Sequence, residues 1–140
     1  MKISAQKWIF TTRRKGPVLV VKLSDAELKV MEVLWKHGEV PANIVTKTLK
    51  DEIGWNINTT YTIINKLVDK GAILKKARTI RKTICCPLIT KEDVQQAELE
   101  ELVSKVFDGS TQSLFSTLAK REDIPEDVSE KLREMIKQIR

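Results

Sequence analysis

Asn58, Thr59, Tyr61, Thr62, Asn65 and Lys66 fall within nine residues, and Arg78, Arg81 and Lys82 follow as a compact group of fixed positive charge. As a set these side chains hold no nucleophile–base pair. Amides and hydroxyls both donate and accept hydrogen bonds, whereas lysine and arginine only donate and carry charge. A ligand that calls for both kinds of group has hydrogen-bonding edges and many negative charges. Base edges and phosphates of a nucleic acid meet that description. Asparagine can pair with adenine N6 and N7, a threonine methyl can meet that of thymine, and lysine or a helix N-terminus can hold phosphate. A cationic loop can reach the backbone or the minor groove beside it.

These side chains need an element that turns them outward together. At about 100° per residue, Thr60, Ile63, Ile64, Leu67 and Val68 fall on one side of a helix, and Asn58, Thr62, Asn65 and Asp69 fall on the other, flanked by Tyr61 and Lys66. The pattern predicts a third helix over Thr59–Lys70, capped by Asn58 and ended by Gly71. Two helices precede it. Ser24 with Glu27 makes a capping box for the first, with Leu28, Met31 and Trp35 at helical spacing and Gly38 as the stop. After a short extended link at Glu39-Val40, Pro41 opens the second, in which Val45, Leu49 and Ile53 recur four apart before Gly54. Residues 73–77 and 82–88 read as two strands around a basic turn, Arg78-Thr79-Ile80-Arg81. Three helices followed by a hairpin is the winged-helix order, in which the third helix enters the major groove. Trp35 and Trp55 are expected in its core, while Trp8 either docks the N-terminal segment or stays open to a partner.

Further on, Thr90 caps a fourth helix bearing Leu99, Leu102, Val103 and Val106, and Gly109 breaks it. A short helix carries Leu114, Phe115 and Leu118. Pro125 opens a last one with Val128, Leu132, Met135, Ile136 and Ile139 on one stripe. Fifty residues in three short helices make a thin core, so these stripes are expected to meet a second copy of themselves. The fold class is therefore mainly α with a small β-hairpin wing. The domains expected are a basic arm at 1–21, a winged helix-turn-helix at 22–89 and a helical dimerisation domain at 90–140. Residues 1–21 show no clear period: Lys7-Trp8-Ile9-Phe10 is aromatic and apolar, then Arg13 to Pro17 breaks it. They read as a flexible or loosely packed arm.

The 140 residues carry a net charge of +6, divided as +5 over 1–21, +5 over 22–90 and −4 over 91–140. A polyanionic partner for the front of the chain fits that asymmetry. No apolar run approaches about 18 residues, and no signal-peptide pattern follows the N-terminal charges, so a cytoplasmic protein without a membrane partner is expected. Cys85 and Cys86 are adjacent, which disfavours a structural disulfide. With His37 as the one histidine, they fall short of the four ligands zinc asks for. No cofactor is called for, and no Gly-rich phosphate loop is present. The carboxylate pairs Glu100-Glu101, Glu122-Asp123 and Glu126-Asp127 read as helix surface or N-terminal dipole complement. Catalysis is not expected. Two other readings remain open: a winged helix that docks another protein, and one that answers to a small molecule.

Leu23-Ser24-Asp25-Ala26-Glu27, Val30-Met31, Leu34-Trp35, Trp55, Thr59, Leu67-Val68-Asp69-Lys70-Gly71 and Val106-Phe107-Asp108-Gly109-Ser110 with Ser113-Leu114 together resemble the BlaI/MecI penicillinase-repressor family, which includes the CopY-type copper-responsive repressors. The resemblance covers about residues 22–140. It implies a homodimeric transcriptional repressor bound to a palindromic double-stranded DNA operator. Its penicillinase branch implies a sensor protease as a further partner, cutting an Asn-Phe bond; Glu101-Leu102 stands at the matching positions. Its copper branch implies C-terminal Cys-x-Cys pairs, and Lys137-Gln138-Ile139-Arg140 contains none.

Overall fold

A computed structural model describes the backbone of residues 7–11, 17–79 and 82–139, with side chains over 22–77 and 82–139. The chain forms two compact units, residues 1–97 and 98–140.

In the first unit, β1 (Lys7–Thr11) pairs antiparallel with β2 (Pro17–Val21), Lys7 opposite Val21. The arm expected to lack regular structure thus contains a ladder. Its β-branched and aromatic residues favour strands, although no alternation of polar and apolar residues advertises one. Helix α1 (Asp25–His37) begins at the predicted box: Ser24 Oγ accepts from the Glu27 amide at 3.2 Å, and the Ser24 amide donates to Glu27 Oε1 at 2.8 Å. Strand β3 (Val40–Pro41) follows, then α2 (Ala42–Ile53), which Gly54 ends in the left-handed region at φ +74°. Helix α3 spans Ile57–Asp69, two residues ahead of the predicted start, because Asn56 rather than Asn58 is the cap.

Strands β4 (Ile73–Thr79) and β5 (Lys82–Pro87) complete an antiparallel sheet of order β3-β5-β4. The predicted wing is there, with two changes. The link at Val40 is a third strand, Val40 opposite Cys85. Arg78 belongs to β4 rather than to the turn, since β4 runs on through an irregularity near Ala77 and Thr79 pairs with Lys82.

Val30, Met31 and Leu34 from α1, Val45 and Leu49 from α2, Ile64 and Leu67 from α3, Ile73 from β4 and Cys85 from β5 make one core. Each large apolar side chain buried there contributes about 1.5–3 kcal/mol. Ile53, expected on the inner stripe of α2, is 42% exposed. Helix α4 (Lys91–Lys105) starts from a reciprocal pair, the Asp93 amide on Thr90 Oγ1 at 3.0 Å and the Thr90 amide on Asp93 Oδ2 at 3.1 Å. Its Val94 and Ala97 join the same core. Trp35 packs half-buried and donates its indole N–H to the Ile89 carbonyl at 2.9 Å, tying the exit of the wing to α1.

The second unit holds the distal part of α4, then α5 (Thr111–Ala119) and α6 (Glu126–Gln138), which pack on one another. Leu114 is buried between elements of its own chain, and the buried position of α6 is Ser129 rather than a member of the apolar stripe. Val128 and Met135 stay 40% and 50% exposed. Among the described residues, no helix is long and apolar enough to cross a membrane.

Candidate nucleic-acid interface

The pattern that predicted α3 also orients it. Thr60, Ile64 and Leu67 are fully buried, and Ile63 and Val68 pack partly against the core. Asn58, Thr59, Tyr61, Thr62, Asn65 and Lys66 are all exposed on the opposite face. The turn into α3 is held by Gly54, whose amide donates to the Lys50 carbonyl at 2.9 Å, and by Asn56, whose Oδ1 accepts from the Asn58 amide at 2.8 Å. With Asn56 as cap, Asn58 sits in the first turn, near the free amides of the helix end. Thr62 donates its hydroxyl to the Asn58 carbonyl at 2.9 Å, so its methyl group and lone pairs remain for a ligand.

Of the wing residues, Lys82 is exposed on β5. The Arg78 side chain and all of Arg81 lie outside the described residues. Sequence reasoning missed Lys75, which reaches from β4 to α3 and donates to Asn65 Oδ1 at 3.0 Å. Its place in an apparent strand concealed it, and no local signal pairs it with a helix ten residues earlier. The result is a hydrogen-bonding helix face flanked by cationic side chains. Such a surface suits a polyanion with readable edges.

Residues 23–138 match the family model described as penicillinase repressor. The chain belongs to the penicillinase repressor family. Among curated relatives, it is 28% identical to a penicillinase repressor of Bacillus licheniformis over 79% of this chain and 87% of the relative. It is also 28% identical to the methicillin resistance regulatory protein MecI of Mammaliicoccus sciuri, over 82% and 93%. Among solved structures, the DNA-binding domain of the repressor BlaI covers 51% of this chain and 87% of its own, at 36% identity and a TM-score of 0.48. DNA-binding repressors are not an enzyme class.

The repressor anchors α3 at its far end through an ion pair. Lys70, just past the helix, meets Glu27 Oε1 at 2.7 Å and the Lys22 carbonyl at 3.1 Å. Glu27 is 3% exposed, so one carboxylate both caps α1 and fixes where α3 ends. Burial pushes its pKa up. The Lys70 hydrogen bond, the Ser24 amide and the ammonium charge outweigh that and hold it below the ordinary 4.5. On acidification the unfolded chain therefore takes up this proton first. The contribution of Glu27 to stability is complete above 4.5 and is lost as the pH falls through the lower folded value. Urea midpoints of wild type and Glu27→Gln, followed across and below that pH, should converge as the medium becomes acid; a constant gap would show that the charge is not what stabilises.

Strand alternation predicts one of Cys85 and Cys86 facing in and the other out, but both are buried, and burial raises both thiol pKa values. The thiolate is the reactive form, so neither cysteine is poised to react. Among the described residues no group of three or more His, Cys, Asp or Glu could hold a metal ion. The residues expected at a dimer interface divide in three. Leu99, Leu102, Val106 and Met135 are exposed, Val103, Phe115, Leu118, Leu132, Ile136 and Ile139 are intermediate, and Leu114 is buried within the protomer.

Proposed function

We propose that the repressor acts as a homodimer on a palindromic operator. Residues 22–89 make the DNA contacts and 90–140 join the subunits. Each subunit lays α3 in the major groove of one half-site, with Asn58, Thr59, Tyr61, Thr62, Asn65 and Lys66 against base edges and phosphates. The wing, with Arg78, Arg81 and Lys82, lies on the adjoining backbone. Two such helices read half-sites about 34–36 Å apart, one turn of duplex. Repression follows from occupying DNA that polymerase needs, which places its action with the chromosome in the cytoplasm. The observation that carries this reading is the division of α3 into a buried apolar face and a wholly exposed hydrogen-bonding one, in a chain of this family.

A sensor protease is a further proposed partner. The bond at the matching positions, Glu101-Leu102, lies inside α4, where Lys105 pairs with Glu101 at 2.9 Å. Cutting it requires local unwinding of that helix.

Fluorescence anisotropy with DNA from upstream of its own coding region, against scrambled DNA at two salt concentrations, tests the proposal. The expected outcome is a preference of about 10³ or more for its own DNA. Affinity should fall with salt by a slope of about −0.9 for each phosphate neutralised. Equal, weak binding to both DNAs would overturn it in favour of a protein-docking winged helix.

A further inference from the structure

The hydrogen bond between Lys75 and Asn65 changes what α3 can read. A lysine ammonium has donors and no acceptor, so the atom it meets at 3.0 Å must be the amide oxygen of Asn65. That fixes the amide: Oδ1 points to the wing strand, and the Nδ2 hydrogens are left for a ligand. An asparagine that pairs with adenine in the major groove needs both ends of its amide, the oxygen to accept from N6 and the nitrogen to donate to N7. Held by Lys75, Oδ1 keeps one lone pair, but the ammonium charge beside it disfavours a second donor such as adenine N6, while the Nδ2 hydrogens remain for an acceptor. The ammonium has further hydrogens beside them. The two side chains together present mainly donors and a positive charge, on the exposed face that the proposed DNA-binding mode turns toward the bases. In the major groove, guanine shows acceptors side by side, N7 and O6.

We infer that Asn65 and Lys75 act as one donor pair that reads guanine in each half-site, in place of the asparagine–adenine pairing that the helix sequence suggests. The inference rests on α3 being the reading element. It makes Lys75 a specificity determinant contributed by the wing, and it couples wing position to base choice. A lysine that only neutralised phosphate would leave base choice untouched.

The test is selection of preferred sites from operator DNA randomised across one half-site, using the full-length protein as wild type, Lys75→Met, Lys75→Arg and Asn65→Ala. Wild type should select guanine at one position by roughly tenfold or more over the other bases, the range of one bidentate contact. Lys75→Met frees the amide oxygen, and the preference at that position should move from guanine to adenine while the other positions keep theirs. Lys75→Arg restores donors and should retain guanine. Asn65→Ala should flatten that position only. If Lys75→Met leaves every base preference unchanged and merely weakens binding uniformly with a salt slope smaller by about one, Lys75 is a phosphate contact and the inference fails. Adenine selected there by wild type would also overturn it, with α3 still the reading helix. No base preference at any position would overturn the helix assignment along with it.

Discussion

Leu102→Asp should leave the protomer folded, abolish the dimer and lower operator affinity by about 10²–10⁴-fold. The reasoning begins with exposure. Leu102 is 42% exposed in the single chain, as is Leu99, and Val106 one turn on is 64% exposed. Isolated surface leucines are ordinary. A run at positions 99 and 102 on α4 and 106 just past its end, in the same unit as the open stripe of Val128 and Met135, is an apolar surface that its own chain leaves uncovered. An aspartate there costs the monomer little, since water reaches it. Buried against a second copy it would be an unpaired charge, and removing that charge from water costs several kcal/mol. Operator affinity falls with it because two linked half-site contacts gain from effective concentration, a gain of 10²–10⁴ without any new contact. Analytical ultracentrifugation, circular dichroism and anisotropy on the same preparation decide the matter. A variant that still sediments as a dimer would move the interface away from α4. A variant that is monomeric yet binds the full operator as before would show that dimerisation is not what holds two heads on DNA.

How much of this was legible beforehand depended on whether the physics was local. Capping and termination are local, and the starts of α1 and α4 and the stops at Gly38, Gly54 and Gly71 could be read from residues within a turn of them. The start of α3 slipped by two because both Asn56 and Asn58 can cap. The structure chooses Asn56, whose side chain takes the Asn58 amide, and leaves Ile57 45% exposed. An exposed isoleucine in the first turn contradicts the apolar pattern from which the boundary was drawn. Strand β3 is only Val40 and Pro41, and it exists because β5, more than forty residues later, supplies its ladder. No window of sequence holds both partners.

The interface divides the same way. Helical periodicity alone placed the outward face of α3, because a single element determines which side is buried. What modulates that face comes from elsewhere. Glu27 was legible as half of a capping box, while its second partner, Lys70, lies 43 residues away. Lys75 counts for nothing until β4 packs beside α3 and brings its ammonium to Asn65. The residues on the exposed face of α3 could be named from the sequence. Their hydrogen-bond partners could not.

The inner face of α3 gives the largest expected change in stability. Ile64 is fully buried amid Leu34, Val45 and Leu67, at the junction of the three helices. Ile64→Ala removes the side chain beyond Cβ and leaves a cavity that rigid neighbours fill incompletely, a loss of about 2–5 kcal/mol. Against a typical total of about 5–15 kcal/mol, that takes a large share of the domain's stability. Two other substitutions on the same helix separate fold from function. Tyr61→Ala, on the outer face, should leave the urea midpoint nearly unchanged and weaken operator binding. Thr60→Val should do the reverse. Thr60 is fully buried and its hydroxyl meets no hydrogen-bond partner among the described residues, and a buried polar group left unpaired costs about 1–3 kcal/mol. Exchanging it for a methyl of the same shape should raise stability by about 1 kcal/mol with operator affinity intact. Urea melts and anisotropy on the three variants test the two faces independently. If Tyr61→Ala unfolded the domain as readily as Ile64→Ala, the outer face would be structural, and the surface assigned to DNA would have to be sought elsewhere.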